Sequence, residues 1–331
     1  MLNNIKFIFY FFIAAAFLLT SCDQSSVTST PDENASPGNV LSSSNGNDAR
    51  DIDLGSLDSM DDINPMLAEQ GLNVRLAYAE TVTKANGAET AEGQTIFAND
   101  RTKRLTAQWV PGDARRDAEG NDLDYIIWDV FEPANFGTAN QVSSTPAIDA
   151  SFDTYNNVKK KAKLNIIKQP NTLDSPSAIL GGGDPFLADI SEVGFLPGIF
   201  FELVLGSGSS QNVLGVAFTF VFVDGNGNPT DVNNDGFDDI AIKEVWYNDE
   251  FLWTDQGDAG TGIDIETVAL HENGHALGFG HFGKIFITNN NNKLHVSPRA
   301  VMNAIILGEQ RDLLGTDKAS YNSLYGNWPK N

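Results

Sequence analysis

The chain has one cysteine, four histidines and only 21 lysines and arginines in 331 residues. A single thiol cannot form an intrachain disulfide, and it cannot build a cysteine-rich metal cage. The 44 aspartates and glutamates outnumber the cations and give a formal net charge of −23. Phosphate backbones need clustered cations, so nucleic acid is excluded as a partner. Such a balance suits a secreted or calcium-exposed protein, whose carboxylates keep it soluble and bind hard cations. Long apolar runs are also missing. The longest, Phe7 to Leu19, is too short to span a bilayer comfortably. Against these absences stand 41% hydrophobic and 10% aromatic residues, enough for a sizeable buried core.

Residues 1–21 read as a signal peptide. Lys6 is the only early charge, and the apolar run after it forms the core. The run ends in Leu19-Thr20-Ser21-Cys22, which resembles the lipobox of bacterial lipoproteins. That resemblance implies cleavage before Cys22 and acylation of its thiol. The bilayer then becomes a partner, and the chain is lipid-anchored to the cell envelope, at the outer membrane, facing the periplasm or the surface. Residues 22–65 are rich in Ser, Asn, Asp, Gly and Pro, with few large apolar side chains. Such a stretch cannot offset its ordering entropy by burial and reads as a flexible tether. Apolar residues return near residue 70 and continue without a break in composition. Residues 66–331 are therefore expected to form one monomeric domain.

Alternating or continuous apolar runs between polar turns predict strands in 104–110, 123–131, 162–169 and, most strongly, 212–224. The stretch 240–253 reads as one strand, or a strand followed by a turn. Residues 146–162 carry apolar side chains at helical spacing. The five tryptophans, Trp109 among them, read as packing residues.

Three of the four histidines fall within residues 270–281, LHENGHALGFGH. A helix is predicted from Asp264, which can cap its N-terminus, to Leu277. On it His271 and His275 lie one turn apart and point the same way, so both imidazoles can reach one ion. Gly278 lets the chain leave the helix through a backbone angle that most residues avoid. His281 can then swing back as a third nitrogen ligand. Three neutral imidazoles suit Zn²⁺ and leave its fourth tetrahedral position to water. Glu272, one residue past the first ligand, is placed to take a proton from the attacking water and to return it to a leaving amine.

The spacing H-E-x-x-H-x-x-G-x-x-H resembles the motif of the metzincin zinc endopeptidases. That group also carries a methionine turn beneath its metal, and Met302, in SPRAVMNAII, follows His281 in the chain. The tail LLGTDKASYNSLYGNW resembles the closing helix of the matrixin-type branch. The likeness is strong over 264–326 and only architectural over about 100–260. It implies an α+β fold: a twisted mixed sheet packed with helices, a catalytic helix carrying HExxH, and a short C-terminal subdomain with the Met-turn and a final helix. It implies peptide-bond hydrolysis of a polypeptide substrate held along an antiparallel edge strand, for which 212–224 is the candidate. Three departures stand out. Phe282 follows the third histidine, where several branches show other characteristic residues. Asn303 and Ala304 follow Met302, so the tyrosine that some branches place there is missing, and no cysteine switch is present. The fourth histidine, His295, reads as a loop or pocket residue, since a fourth protein ligand would close the site.

A second metal-like segment begins at Asp231. Asp231, Asn233, Asp235 and Asp239 fall at alternate loop positions, with Gly236 for the tight turn and a carbonyl at Phe237. This pattern suits Ca²⁺ in a structural role. Ile242 stands where an EF-hand places its bidentate Glu, so a helix-loop-helix hand is excluded. The rival to the enzyme reading is a non-catalytic, metal-stabilised surface lipoprotein acting as a binding or adhesion module.

Overall fold

The computed structural model describes residues 51–52, 58–84, 96–98, 106–116, 120–158, 163–287 and 294–330, all within one compact unit. The segment read as a signal peptide, Cys22 and most of the segment read as a tether lie outside the described residues. Ordered structure nevertheless reaches back into the segment read as tether. Strand β1 (Asp51–Ile52) pairs with β2 (Val74–Lys84), and helix α1 (Asp58–Glu69) begins before residue 66. The reason is burial and one side chain. Ile63 and Leu67 enter the core, and Asn64 brackets the backbone of Leu76, accepting from its N–H at 2.7 Å and donating to its carbonyl at 3.3 Å.

The described elements form an α+β chain with a mixed sheet and six helices. The sheet runs β1-β2-β8-β9-β7-β5-β6, with β8 at Val213–Phe222, β9 at Asp238–Asn248, β7 at Ile190–Leu196, β5 at Leu123–Ile127 and β6 at Ile166–Lys168. Strands β9, β7, β5 and β6 are parallel, whereas β8 is antiparallel to both neighbours. Two short strands join off this path: β14 (Ile305–Ile306) beside β2, and β4 (Ala107–Gln108) beside β9. The chain segment expected to present a free edge, 212–224, is therefore interior. Both hydrogen-bonding sides of β8 are used, by β2 and by β9, and every residue of the strand is buried, as expected for a near-continuous apolar run.

Helices cover both faces. On one, α2 (Thr145–Asn156), α5 (Ile265–Ala276) and α6 (Gly315–Tyr325) pack Phe152, Tyr155, Val268, Leu270 and Tyr321 against Ala217, Val245 and Tyr247. On the other, α1 and α3 (Gly198–Leu205) pack Leu67 and Phe201 against Val216, Phe218 and Trp246, and the short α4 (Ser209–Asn212) leads into β8. The stretch 240–253 resolves into strand β9, a turn, and β10 (Trp253–Thr254), which pairs in parallel with β11 (Ile263–Asp264) just before α5. Beyond α5, β12 (Gly283–Ile287) pairs with β13 (Leu294–Ser297) and with β3 (Ile96–Ala98).

On the face beneath α5, three rows of directly paired residues cross strands β2, β8 and β9. They are Tyr78–Thr219–Lys243, Glu80–Ala217–Val245 and Val82–Gly215–Tyr247. The middle strand contributes only small side chains to these rows. The helix and several buried polar groups therefore lie close to the sheet there.

Candidate metal centre

Helix α5 starts where the sequence places it. Asp264 accepts the Thr267 N–H at 3.0 Å and the Thr267 hydroxyl at 2.7 Å, a cap worth about 1 kcal/mol. Arg311 bridges Asp264 at 2.5 Å and Glu266 at 3.0 Å, anchoring the first turn to the segment before α6. The helix ends at Gly278, whose φ of +82° is the left-handed conformation that glycine tolerates. Two buried donors finish this end, while Tyr155 OH bonds Leu270 O in mid-helix at 2.9 Å. Trp109 Nε1 donates to Ala276 O at 2.9 Å and Tyr325 OH to Leu277 O at 2.6 Å. Carbonyls in the last turn of a helix lack intrahelical partners, so these groups stabilise the turn that aims the histidines.

His271, His275 and His281 come together with no exposed surface. Their Nε2 atoms form a triangle with sides of 3.1, 3.1 and 3.3 Å. Zinc–imidazole bonds of about 2.0–2.1 Å at tetrahedral angles separate ligand nitrogens by about 3.3 Å. The tautomers agree with a metal site. His271 Nδ1 lies 2.7 Å from Val301 O, and His275 Nδ1 lies 2.7 Å from Phe279 O. A carbonyl only accepts, so each Nδ1 carries the proton and each Nε2 presents a lone pair. Lone pairs facing each other at such distances repel, and a cation between them removes the conflict. Burial reinforces neutral rings: it pushes His271 down to about 4 and His275 well below the ordinary range. The donor set therefore fits a divalent cation of the zinc type.

Met302 lies beneath the helix, 2% exposed. A Cβ on Gly274 would stand 2.2 Å from Met302 Sδ and 2.7 Å from Tyr155 OH, so glycine is required at that point of α5. The turn carrying Met302 is held from α6. Asp317 accepts the N–H groups of Val301 at 3.1 Å, Met302 at 3.4 Å and Leu314 at 2.9 Å. Asn303 adds bonds to Phe282 O at 2.6 Å and Pro298 O at 3.2 Å. Sequence reading noted Asn303 only in the Asn303-Ala304 pair that lacks a tyrosine, and it missed Asp317 and Gly274 altogether. Val301 in this turn is the residue that orients His271. Replacing Asp317 with alanine leaves buried amides without their charged acceptor, at a cost of about 3 kcal/mol or more. Urea unfolding measures it, and an unchanged midpoint would show that the turn does not depend on α6.

Glu272 is fully buried, over the sheet row Val82–Gly215–Tyr247. Neither carboxylate oxygen makes a hydrogen bond of ordinary geometry, although the Val82 amide is near enough to favour the charged form. Burial, followed by the charges of Glu80 and Glu192, pushes Glu272 well above the usual carboxylate range. A divalent cation at the triad acts in the opposite direction. Around it lie further buried polar groups. Tyr247 OH donates to Glu192 Oε2 at 2.9 Å, Lys243 Nζ to Thr219 Oγ1 at 2.5 Å, and Asn273 Nδ2 to Ser151 Oγ at 2.7 Å. Burial raises Glu192 to about 8 against its bonds from Tyr247 and Asn273.

His295 lies apart from the triad, on β13, with its ring stacked on Phe286 at 5.4 Å. It is thus a strand residue and not part of a loop, because the 294–297 segment pairs with β12. The Asp231 loop is brought together only in part. Asp231 accepts the N–H groups of Asp235 and Gly236, each at 3.0 Å, and Asp235 accepts that of Phe237 at 2.9 Å and the Asn233 side-chain amide at 2.9 Å. Asp239 does not join them. It is the second residue of β9, and its carboxylate turns inward to Arg115 at 2.7 Å, the Thr230 hydroxyl at 2.6 Å and the Val232 N–H at 3.1 Å. A calcium site there would draw on Asp231, Asn233, Asp235 and the Phe237 carbonyl, without Asp239. No protein-family model matches the chain, and no curated protein matches it.

Proposed function

We propose that the chain is a zinc-dependent endopeptidase of the metzincin type, with His271, His275 and His281 as metal ligands and Glu272 as general base and acid. The observation that supports this reading best is the Nε2 triangle, whose sides of 3.1–3.3 Å fit one tetrahedral ion. A bound zinc ion supplies Lewis acidity, polarising a substrate carbonyl and acidifying a water. Val301 O and Phe279 O fix the imidazole orientations. Met302 supports the helix from below, where Gly274 leaves room for it. Glu272 takes the water's proton on a carboxylate oxygen and delivers it to the leaving nitrogen. The protein is lipid-anchored through Cys22 at the cell envelope.

A second reading, a non-catalytic metal-stabilised binding module, draws on a different observation. All three histidines and Glu272 have no exposed surface, so a substrate reaches them only after their cover opens. The deciding experiment is cleavage of a broad panel of peptides and proteins by wild type beside Glu272→Gln, before and after limited trimming of the N-terminal region. No cleavage by wild type in either state would replace the enzyme reading with the binding module.

Calcium at the Asp231 loop belongs to the same proposal, as a structural ion that offsets repulsion between exposed carboxylates. Melting at fixed zinc is expected to shift upward with added Ca²⁺ in wild type and to stay still in Asp235→Ala. Equal behaviour of the two would leave the loop a self-bonded acidic turn.

A further inference from the structure

Strand β8 is asymmetric. Its face toward α1 and α3 carries Val216, Phe218 and Phe220, all fully buried. Its face toward α5 carries Gly215, Ala217 and Thr219. Glycine in the middle of a buried strand gives up packing and costs backbone entropy. Gly215 is not in the left-handed region, so the backbone does not call for it. The reason lies above the sheet. A Cβ built on Gly215 would stand 2.8 Å from Glu272 Oε1, 2.9 Å from Cγ and 3.1 Å from Cδ. All three nearest atoms belong to the one side chain. The carboxylate of Glu272 therefore occupies the gap that Gly215 leaves between Val82 on β2 and Tyr247 on β9.

We infer that Gly215 is a positioning residue for Glu272: the missing side chain in the row Val82–Gly215–Tyr247 is a seat that sets where the general base lies relative to the triad. This deepens the protease reading and rests on it for its catalytic consequence. The seat itself is a matter of packing. A methyl group at 215 overlaps atoms along the length of the Glu272 side chain, including Cγ, which is not a free tip. The side chain must leave the gap, while the histidines, held by Val301 O and Phe279 O, need not move. A displacement of even an ångström from the reacting geometry is costly in rate.

The test is a double-mutant cycle of Gly215→Ala and Glu272→Ala, read by melting temperature, with zinc content and peptide cleavage measured alongside. Gly215→Ala alone is expected to lower the melting temperature by about 3 °C or more, the usual scale for an overpacked methyl in a domain of this size. In the Glu272→Ala background that fall is expected to vanish, because the overlapping atoms are gone. Kinetically, Gly215→Ala is expected to lose kcat by at least about tenfold, with KM and zinc content near wild type. If Gly215→Ala fails to fold and the double variant folds, the coupling is established in its strongest form. An equal melting penalty with and without the Glu272 side chain overturns the inference, and so does wild-type kcat in Gly215→Ala. If wild type cleaves nothing, the protease reading fails on its own, and the melting cycle still decides whether Gly215 seats Glu272.

Discussion

Glu272→Gln is expected to cut peptide hydrolysis by about 10⁴-fold or more while zinc stays bound and the melting temperature changes little. A general base or acid is typically worth about 10²- to 10⁴-fold, and here one residue serves as both. Glutamine matches glutamate in size and keeps a carbonyl oxygen, but it cannot take a proton from water. The ligand nitrogens do not pass through Glu272: each of His271 and His275 is oriented by a backbone carbonyl, from Val301 and Phe279. The substitution therefore spares the metal site. It also removes a carboxyl group that burial and the neighbouring Glu80 and Glu192 make costly to ionise, so stability is not expected to fall. Steady-state kinetics with metal analysis on the same samples checks the claim. Cleavage by Glu272→Gln at the wild-type rate would remove Glu272 from the mechanism.

The centre was legible in the sequence because its geometry is local. A helix places residues four apart on one side, and Gly278 turns the chain just after it, so the eleven residues 271–281 bring three nitrogens together. Asp264 as cap was legible for the same reason, and so was the helix read over 146–162, which ends at Asn156, with 159–162 outside the described residues. Strands 190–196 and 74–84 were harder to see. The first carries Glu192 and Gly194 among its apolar residues, and the second places Glu80 in phase with Val74, Leu76, Tyr78 and Val82, which breaks the alternation that marks a strand. The fold buries Glu80 and Glu192 beside Glu272, a tertiary fact that no local pattern encodes. The same limit applies to β8. Its apolar run identified it as a strand but could not say that β2 and β9 flank it. Asp239 fits a loop pattern by spacing alone, yet Arg115, more than a hundred residues earlier, takes its carboxylate. Asp317 and Gly274 were invisible because their reasons, the amides of Val301 and Met302 and the sulfur of Met302, lie on other elements.

His275→Ala is expected to abolish tight zinc binding and, with it, the stability that zinc confers. The triangle needs all three corners, since two imidazoles alone bind far more weakly and leave the ion open on two sides. His275 is the central corner: its Nε2 lies 3.1 Å from each of the other two. An ion that binds only the folded chain adds about 4 kcal/mol when present at a thousandfold excess over its dissociation constant. For a domain of this size that corresponds to about 10 °C in melting temperature. Wild type is expected to lose that much on chelation and to recover it with Zn²⁺. His275→Ala is expected to melt at or below the chelated wild type and to show no recovery. The accompanying loss of the His275–Phe279 bond, which ties the Gly278 turn, deepens the fall. His295→Ala supplies the contrast. Its ring sits on β13 against Phe286, so zinc content and the zinc-dependent shift are expected to match wild type. Elemental analysis and melting curves on the three proteins decide the matter: His275→Ala holding zinc as firmly as wild type would mean that the metal, if any, lies elsewhere.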